Sequence, residues 1–195
     1  MKDAVIVSTA RTPIGKAYRG AYNNTTAPTL AGFAIREAVK RAGIDPAQVD
    51  DVIMGCAMQQ GTTSGNIGRM AALSGGLPVT VSGMTIDRQC SSGMMAIATA
   101  AKQIIVDGHD IVIGGGLESI SLVQNDKANF YRAVDKALVA KHKNVYMPML
   151  QTAEVVAKRY GITREQQDEY GYQSQMRTAA AQEAGKFDQE IIATT

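Results

Sequence analysis

The chain has 195 residues, 45% of them hydrophobic, ample for a sizeable core and enough for one domain or one domain with part of a second. Twenty Lys and Arg stand against eighteen Asp and Glu, a formal net charge of +2, too small to point to nucleic acid or an anionic membrane. No uninterrupted apolar run approaches the ~18 residues of a membrane span, the opening residues lack the pattern of a signal peptide, and two cysteines, Cys56 and Cys90, are too few for a disulfide framework. A soluble, reduced, cytoplasmic protein is the expectation.

Ala4 to Ser8 is a short apolar run ahead of Thr9 and Arg11, the pattern of a buried strand. After a loop rich in Gly and Asn, Leu30, Phe33, Ala34 and Ala38 recur at helical spacing, and Gly43 stops that helix. Asp51 to Gly55 reads as a second strand. Residues 66 to 74 form a second helical piece, closed by Gly75, Gly76 and Pro78. Val79 to Asp87, rich in β-branched residues, is again strand-like. From Ser91 to Asp107 an Ala-rich helix follows, carrying Met94, Met95, Ile97, Ile104 and Ile105 and ending at Gly108. That helix is apolar nearly all round, which predicts burial on several sides. Asp110 to Gly114 is a fourth strand. Strands separated by helices predict an α/β fold with a mostly parallel sheet and helices on both faces.

After about residue 120 the character changes. Residues 122 to 145 carry many charges, with a short helix expected at 131 to 141. Thr152 to Tyr160 reads as a helix closed by Gly161, and Thr163 with Gln166 forms a capping box for a long polar helix ending near Gly185. The expected division is residues 1–120 as one α/β unit and residues 121–195 as part of a second, inserted unit.

The chemistry centres on Thr85 to Gly93, a strand that turns through Cys90 into the start of the Ala-rich helix. A helix N-terminus lowers the pKa of a thiol through unpaired N–H groups and the positive end of the peptide dipoles. Ser91, Ser92 and Gly93 are small, so a substrate carbonyl has room to approach, and the same N–H groups can face an oxyanion. The other reading of Cys90 is a small buried hydrophobe, as most free cysteines are. Spacing alone leaves both open.

The segment Asp87-Arg88-Gln89-Cys90-Ser91-Ser92-Gly93 resembles the nucleophile motif of thiolases, Asn-x-x-Cys-x-Ser-Gly, with Asp87 where that family usually has Asn. Further pieces of the same resemblance stand in order: Val5 to Gly15; Met54-Gly55, Gln60-Gly61 and Asn66 to Arg69; Gly114 to Ser121; and Gln151 to Glu154. They span the whole chain. The resemblance implies the N-terminal half of the thiolase fold followed by the start of its loop domain. It also implies acyl transfer between acyl-CoA and either coenzyme A or acetyl-CoA, through an acyl group held on Cys90, whose backbone N–H would contribute to an oxyanion hole. Covalent capture splits one difficult step into two easier ones. Coenzyme A thioesters are then substrates, with no resident cofactor and no metal. The partners are expected to be acyl-CoA, coenzyme A and further copies in a homodimer or tetramer, with neither nucleic acid nor membrane. Met149 matches a methionine that lines the family's acyl pocket; read without the resemblance, it serves equally as a flexible core filler.

In thiolases a histidine in Gly-His-Pro and a second cysteine in Cys-x-Gly-Gly-Gly complete the site, and neither motif occurs here. His109 and His142 read as solvated loop residues, and Cys56 as a packing residue. The C-terminal half is therefore expected in the same or another chain, and this chain alone is expected to turn over little or not at all. Met147 to Leu150 departs from the His-Met-Gly of short-chain biosynthetic members, which favours broader or degradative acyl specificity. Two alternatives remain: a condensing enzyme of the ketoacyl-synthase type, and a non-catalytic thiolase-like subunit.

Overall fold

The computed structural model describes residues 2–194. The chain divides into two compact units, Met1–Asn129 together with Gln189–Thr195, and Phe130–Asp188.

The first unit is built on a three-stranded parallel sheet of β1 (Asp51–Gly55), β2 (Ser82–Ile86) and β3 (Val112–Gly116), in the order β2-β1-β3. Asp51 pairs with Ser82 on one side and Val112 on the other, and Gly55 with Ile86 and Gly116. β1 is buried along its whole length. Its side chains alternate between two apolar layers, as a pleated strand requires. Val52 and Met54 join Ala31, Ile35 and Val39 of α1 (Ala27–Ala42) and Ala71 and Ala72 of α2 (Ile67–Ser74), with Leu77 and Val81 closing the layer. On the opposite face Ile53 packs with Ala96 and Ala100 of α3 (Ser92–Lys102). The unbroken apolar run of β1 is thus the signature of a strand covered on both faces.

Polar groups set the lower edge of the sheet. Asp50 accepts the N–H groups of Ile111 (3.1 Å) and Asp110 (2.8 Å), which ties the entry of β1 to that of β3. Those two donors hold its carboxyl below the usual range. Asp51, buried, accepts from Gln103 Nε2 at 2.8 Å and from the Ser82 hydroxyl at 2.8 Å, so its carboxylate is held on both sides.

Several expected boundaries move for local reasons. α1 starts at Ala27, with Pro in its first turn, and ends where Gly43 adopts φ +68°. β2 starts at Ser82, three residues later than the β-branched run suggests, because Pro78 to Val81 closes a turn with Val81 N–H on the Pro78 carbonyl at 3.1 Å. β3 covers Val112–Gly116, two residues past the expected strand, because Asp110 and Ile111 spend their N–H groups on Asp50. The helix after Cys90 runs α-helical to Lys102 and then widens into a π-helical turn over Gln103–Asp107, closed by Gly108 at φ +84°. Within this chain it buries Ser92, Ala96 and Ala100, while Met94 and Ile97 are 76% and 49% exposed, so the expected burial on several sides is met on one side.

The strand expected at Ala4–Ser8 is a correction. No strand forms there, and Val5, Ile6 and Val7 are 71%, 77% and 74% exposed. Apolar pattern proposes a strand, but a ladder needs a partner edge. Here the segment's contacts are made by side chains instead: Ser8 Oγ donates to the Ala38 carbonyl at 2.7 Å, and Arg41 donates to the Thr9 carbonyl at 2.8 Å. Arg11 also bonds Glu190 at 2.9 Å, which attaches the last residues of the chain to this unit.

The second unit holds α5 (Lys136–Lys141), α6 (Met149–Tyr160) and α7 (Arg164–Glu183); the short α4 (Ile120–Val123) belongs to the first. Gly161 closes α6 at φ +64°. The capping box at the start of α7 is present: the Gln166 N–H donates to Thr163 Oγ1 at 3.3 Å, and the Thr163 N–H donates to Gln166 Oε1 at 2.9 Å. α7 buries none of its residues and carries side-chain pairs four apart, Arg164 with Asp168 and Gln173 with Glu169. No helix among the described residues is long and apolar enough to cross a membrane.

Candidate active site

At the carboxyl ends of the strands the ladder is carried one residue further by backbone bonds. Cys56 N–H donates to the Ile86 carbonyl at 3.0 Å, and Leu117 N–H donates to the Gly55 carbonyl at 3.0 Å. The loops after all three strands therefore emerge side by side, at the end of a parallel sheet where ligand sites form.

The N-terminus of α3 rests directly on these strand ends because no side chains stand between. A Cβ on Gly55 would lie 2.2 Å from the Ser92 carbonyl carbon, and one on Gly116 would lie 2.9 Å from Gly93 Cα. Cys90 sits at the turn that enters this helix and is exposed. Ser91 occupies the N-cap position but its side chain makes no capping bond, so no side chain takes the first-turn N–H groups of α3. Cys90 therefore stands exposed one residue before the N-cap of α3.

The turn itself is unusual. Gln89, directly before Cys90, has φ +49°, a left-handed conformation that costs a non-glycine residue ~1 kcal/mol or more. Two backbone bonds close it, from the Ser91 N–H to the Arg88 carbonyl at 3.1 Å and from the Ser92 N–H to the Gln89 carbonyl at 3.0 Å, and three side-chain bonds add to them. Asp87 Oδ1 accepts the Gln89 N–H at 2.7 Å, the Ser92 hydroxyl donates to the Gln89 carbonyl at 2.6 Å, and Ser92 Oγ accepts the Arg88 N–H at 2.8 Å. Ser92 is buried, 4% exposed, and its hydroxyl is satisfied in both directions. Sequence reasoning passed over Asp87 and Ser92 as working parts of this turn. An Asp two residues ahead of the N–H it accepts is the signal that was available.

Cys56 is buried as expected of a packing residue, but it is also polar in use. Its thiol donates to Glu118 Oε1 at 3.2 Å, and the same carboxylate accepts the N–H groups of Ala57 (3.0 Å) and Met58 (3.2 Å). Burial, with the Glu118 carboxylate adding to it, pushes this thiol up to about 12. Cys56 therefore stays a protonated donor at neutral pH, and Glu118 fastens the loop after β1 to the end of β3. Nothing in the sequence pattern pairs positions 56 and 118.

His109 is half-buried instead of solvated, with its Nδ1 enclosed and unpartnered, and His142 is exposed at the end of α5. Met149, the first residue of α6, is 75% exposed and belongs to the second unit, whereas Cys90 belongs to the first.

Residues 4–195 match the family described as the thiolase N-terminal domain. The chain is 41% identical over 192 residues to a 3-ketoacyl-CoA thiolase of Bacillus subtilis, covering 98% of this chain and 49% of that protein. It is 43% identical over 202 residues to an acetyl-CoA acetyltransferase of Cupriavidus necator, covering 98% and 51%. It is 41% identical over 212 residues to a β-ketoadipyl-CoA thiolase of Acinetobacter baylyi, covering 100% and 52%. The chain thus spans about half the length of the curated relatives it matches. A parallel α/β sheet with a cysteine turned into a helix at its carboxyl end, matched almost throughout to this one family, makes the chain a member of the thiolase family.

Proposed function

We propose that Cys90 is a nucleophile that takes an acyl group from an acyl-CoA thioester and passes it to coenzyme A or to the carbanion of acetyl-CoA. The thiolate attacks the thioester carbonyl, coenzyme A leaves as its thiol, and the acyl group remains on sulfur until the second acceptor removes it. The first-turn N–H groups of α3 face the oxyanion formed in both steps. Exchange in one direction is thiolytic cleavage of a 3-ketoacyl-CoA, and in the other it is condensation. Turnover also needs a base for the thiol and an acid–base group at the substrate carbon. Those groups belong to the family's C-terminal half, in the same polypeptide or another, and this chain alone is inactive in repeated cycles. Met149 contributes to the acyl pocket. Coenzyme A thioesters are the substrates, no step falls to a metal or further cofactor, and a cytoplasmic homodimer or tetramer goes with this reading.

The observation that carries the proposal is the exposed Cys90 at the uncapped start of α3, behind a left-handed Gln89. Its test is the rate of alkylation by iodoacetamide at neutral pH, followed residue by residue by mass spectrometry, together with intact mass after incubation with acetyl-CoA. Cys90 is expected to react far faster than Cys56 and to carry an acetyl adduct that Cys90→Ser abolishes. Equal, slow alkylation of both cysteines sinks the nucleophile, and leaves the non-catalytic subunit as the reading.

A further inference from the structure

The turn before Cys90 holds a residue in a conformation that its own side chain does not favour. Gln89 at φ +49° has a Cβ, and Asp87, Arg88, Gln89 and Cys90 are all exposed, so tertiary packing does not clamp the segment from outside. What remains is the hydrogen bonding. Ser91 N–H and Ser92 N–H close the turn on the Arg88 and Gln89 carbonyls, and the Ser92 hydroxyl grips it from the helix side through the Gln89 carbonyl and the Arg88 N–H. Being buried against the strand ends, Ser92 is fixed by the fold. On the strand side the Gln89 N–H is held by Asp87 alone, at 2.7 Å. The carbonyl of the same Arg88–Gln89 peptide accepts the Ser91 N–H at 3.1 Å, so losing the Asp87 bond leaves that peptide anchored at its carbonyl only, with its N–H end released.

We propose that Asp87 is a positioning residue for the nucleophile: its carboxylate, by accepting the Gln89 N–H, keeps Gln89 left-handed and so aims the Cys90 sulfur along the start of α3. This rests on the reading of Cys90 as the nucleophile. The role belongs to the acceptor oxygen and not to the charge. A negative charge near a forming thiolate opposes it, so whatever Asp87 contributes by geometry it contributes against its own electrostatics.

That distinction sets the experiment. Asp87→Asn and Asp87→Ala both remove the charge, but only Asn keeps an oxygen that can accept the Gln89 N–H. The full chain and both variants are alkylated with iodoacetamide at neutral pH, and Cys90 and Cys56 are followed separately. Cys90 is expected to react roughly fivefold or more slowly in Asp87→Ala than in Asp87→Asn, the factor that corresponds to one net hydrogen bond. Asp87→Asn is expected to match or exceed the unsubstituted chain. Cys56, buried, reports global loosening: it stays protected in both variants if Asp87 acts on the turn, and becomes reactive if the fold has been damaged. Equal Cys90 rates in the two variants overturn the proposal, as does a slow Asp87→Ala that also exposes Cys56. If Cys90 of the unsubstituted chain reacts no faster than Cys56, the nucleophile reading itself has failed and this proposal goes with it.

Discussion

Gly55→Ala tests the contact on which the site is built. An alanine Cβ would stand 2.2 Å from the Ser92 carbonyl carbon, 2.3 Å from its oxygen and 2.4 Å from Gly93 N. Carbon atoms sit comfortably from ~3.5 Å outward, so the start of α3 has to lift by more than ~1 Å. All three obstacles are backbone atoms, and no rotamer change can clear them. Overpacking of a core costs ~1–3 kcal/mol where side chains can yield, so about 3 kcal/mol or more is expected here. For a chain of this length that corresponds to a fall in Tm of roughly 6–12 °C. Thermal melts of Gly55→Ala beside Gly43→Ala make the comparison. Gly43 has nothing within 4 Å of its added Cβ and suffers only from its φ of +68°, a cost of ~1–2 kcal/mol. Lifting α3 also moves its first-turn N–H groups, so Cys90 alkylation should slow in Gly55→Ala and not in Gly43→Ala. A Gly55→Ala protein that melts within about 1 °C of the unsubstituted chain refutes the close approach and the geometry drawn from it.

Two further outcomes follow from bonds away from that contact. Cys56 keeps its proton in the folded state up to about 12, whereas the unfolded thiol releases it near 9.0. The folded form therefore binds the extra proton between those values, and stability present below pH 9 is lost as pH rises through the window, by up to ~1.4 kcal/mol per unit. Urea unfolding at pH 8 and pH 10 should show a steeper loss for the unsubstituted chain than for Cys56→Ala, and parallel losses would remove the buried, carboxylate-bound thiol from the account. Thr163→Ala removes one arm of the capping box of α7, worth ~1 kcal/mol. Because α7 buries none of its residues, the loss should be local: faster amide exchange at Gln166 and no change in the melting of the sheet. Unaltered exchange at Gln166 would contradict the cap.

What the sequence made legible is what local rules control. β1 is a continuous apolar run because both its faces are covered, and that pattern is visible without a fold. Gly43, Gly108 and Gly161 end their helices in the left-handed region where a glycine costs least, and Thr163 with Gln166 caps α7 as spaced. The misses are of another kind. Ala4–Ser8 has strand composition but no strand partner, and pairing is a property of two segments, not one. The Cys56–Glu118 bond joins residues 62 positions apart. Gln89 carries no mark in its residue type of a positive φ, which is imposed on it by Asp87 and Ser92 from either side. The π-helical turn after Lys102 is likewise invisible in a run of apolar residues that reads as ordinary helix.

Stability and chemistry share residues at the carboxyl end of this sheet. Gly55, Gly93 and Gly116 carry no side chains, which lets α3 seat on the strand ends. The same seating brings the helix start, which no side chain caps, to the point where the chain leaves β2 and reaches Cys90. Ser92 does both jobs at once: its backbone is the surface Gly55 touches, and its hydroxyl ties the Arg88 and Gln89 peptides. Substitutions at these positions must therefore disturb folding and reactivity together, and a loss of Cys90 reactivity in them says little about cause. Asp87 stands apart, because it is exposed and its bond to the Gln89 N–H acts on the residue before Cys90 without touching the seat of α3. On the proposed role, Asp87 substitutions are expected to change Cys90 reactivity while the sheet and the buried Cys56 stay as they are.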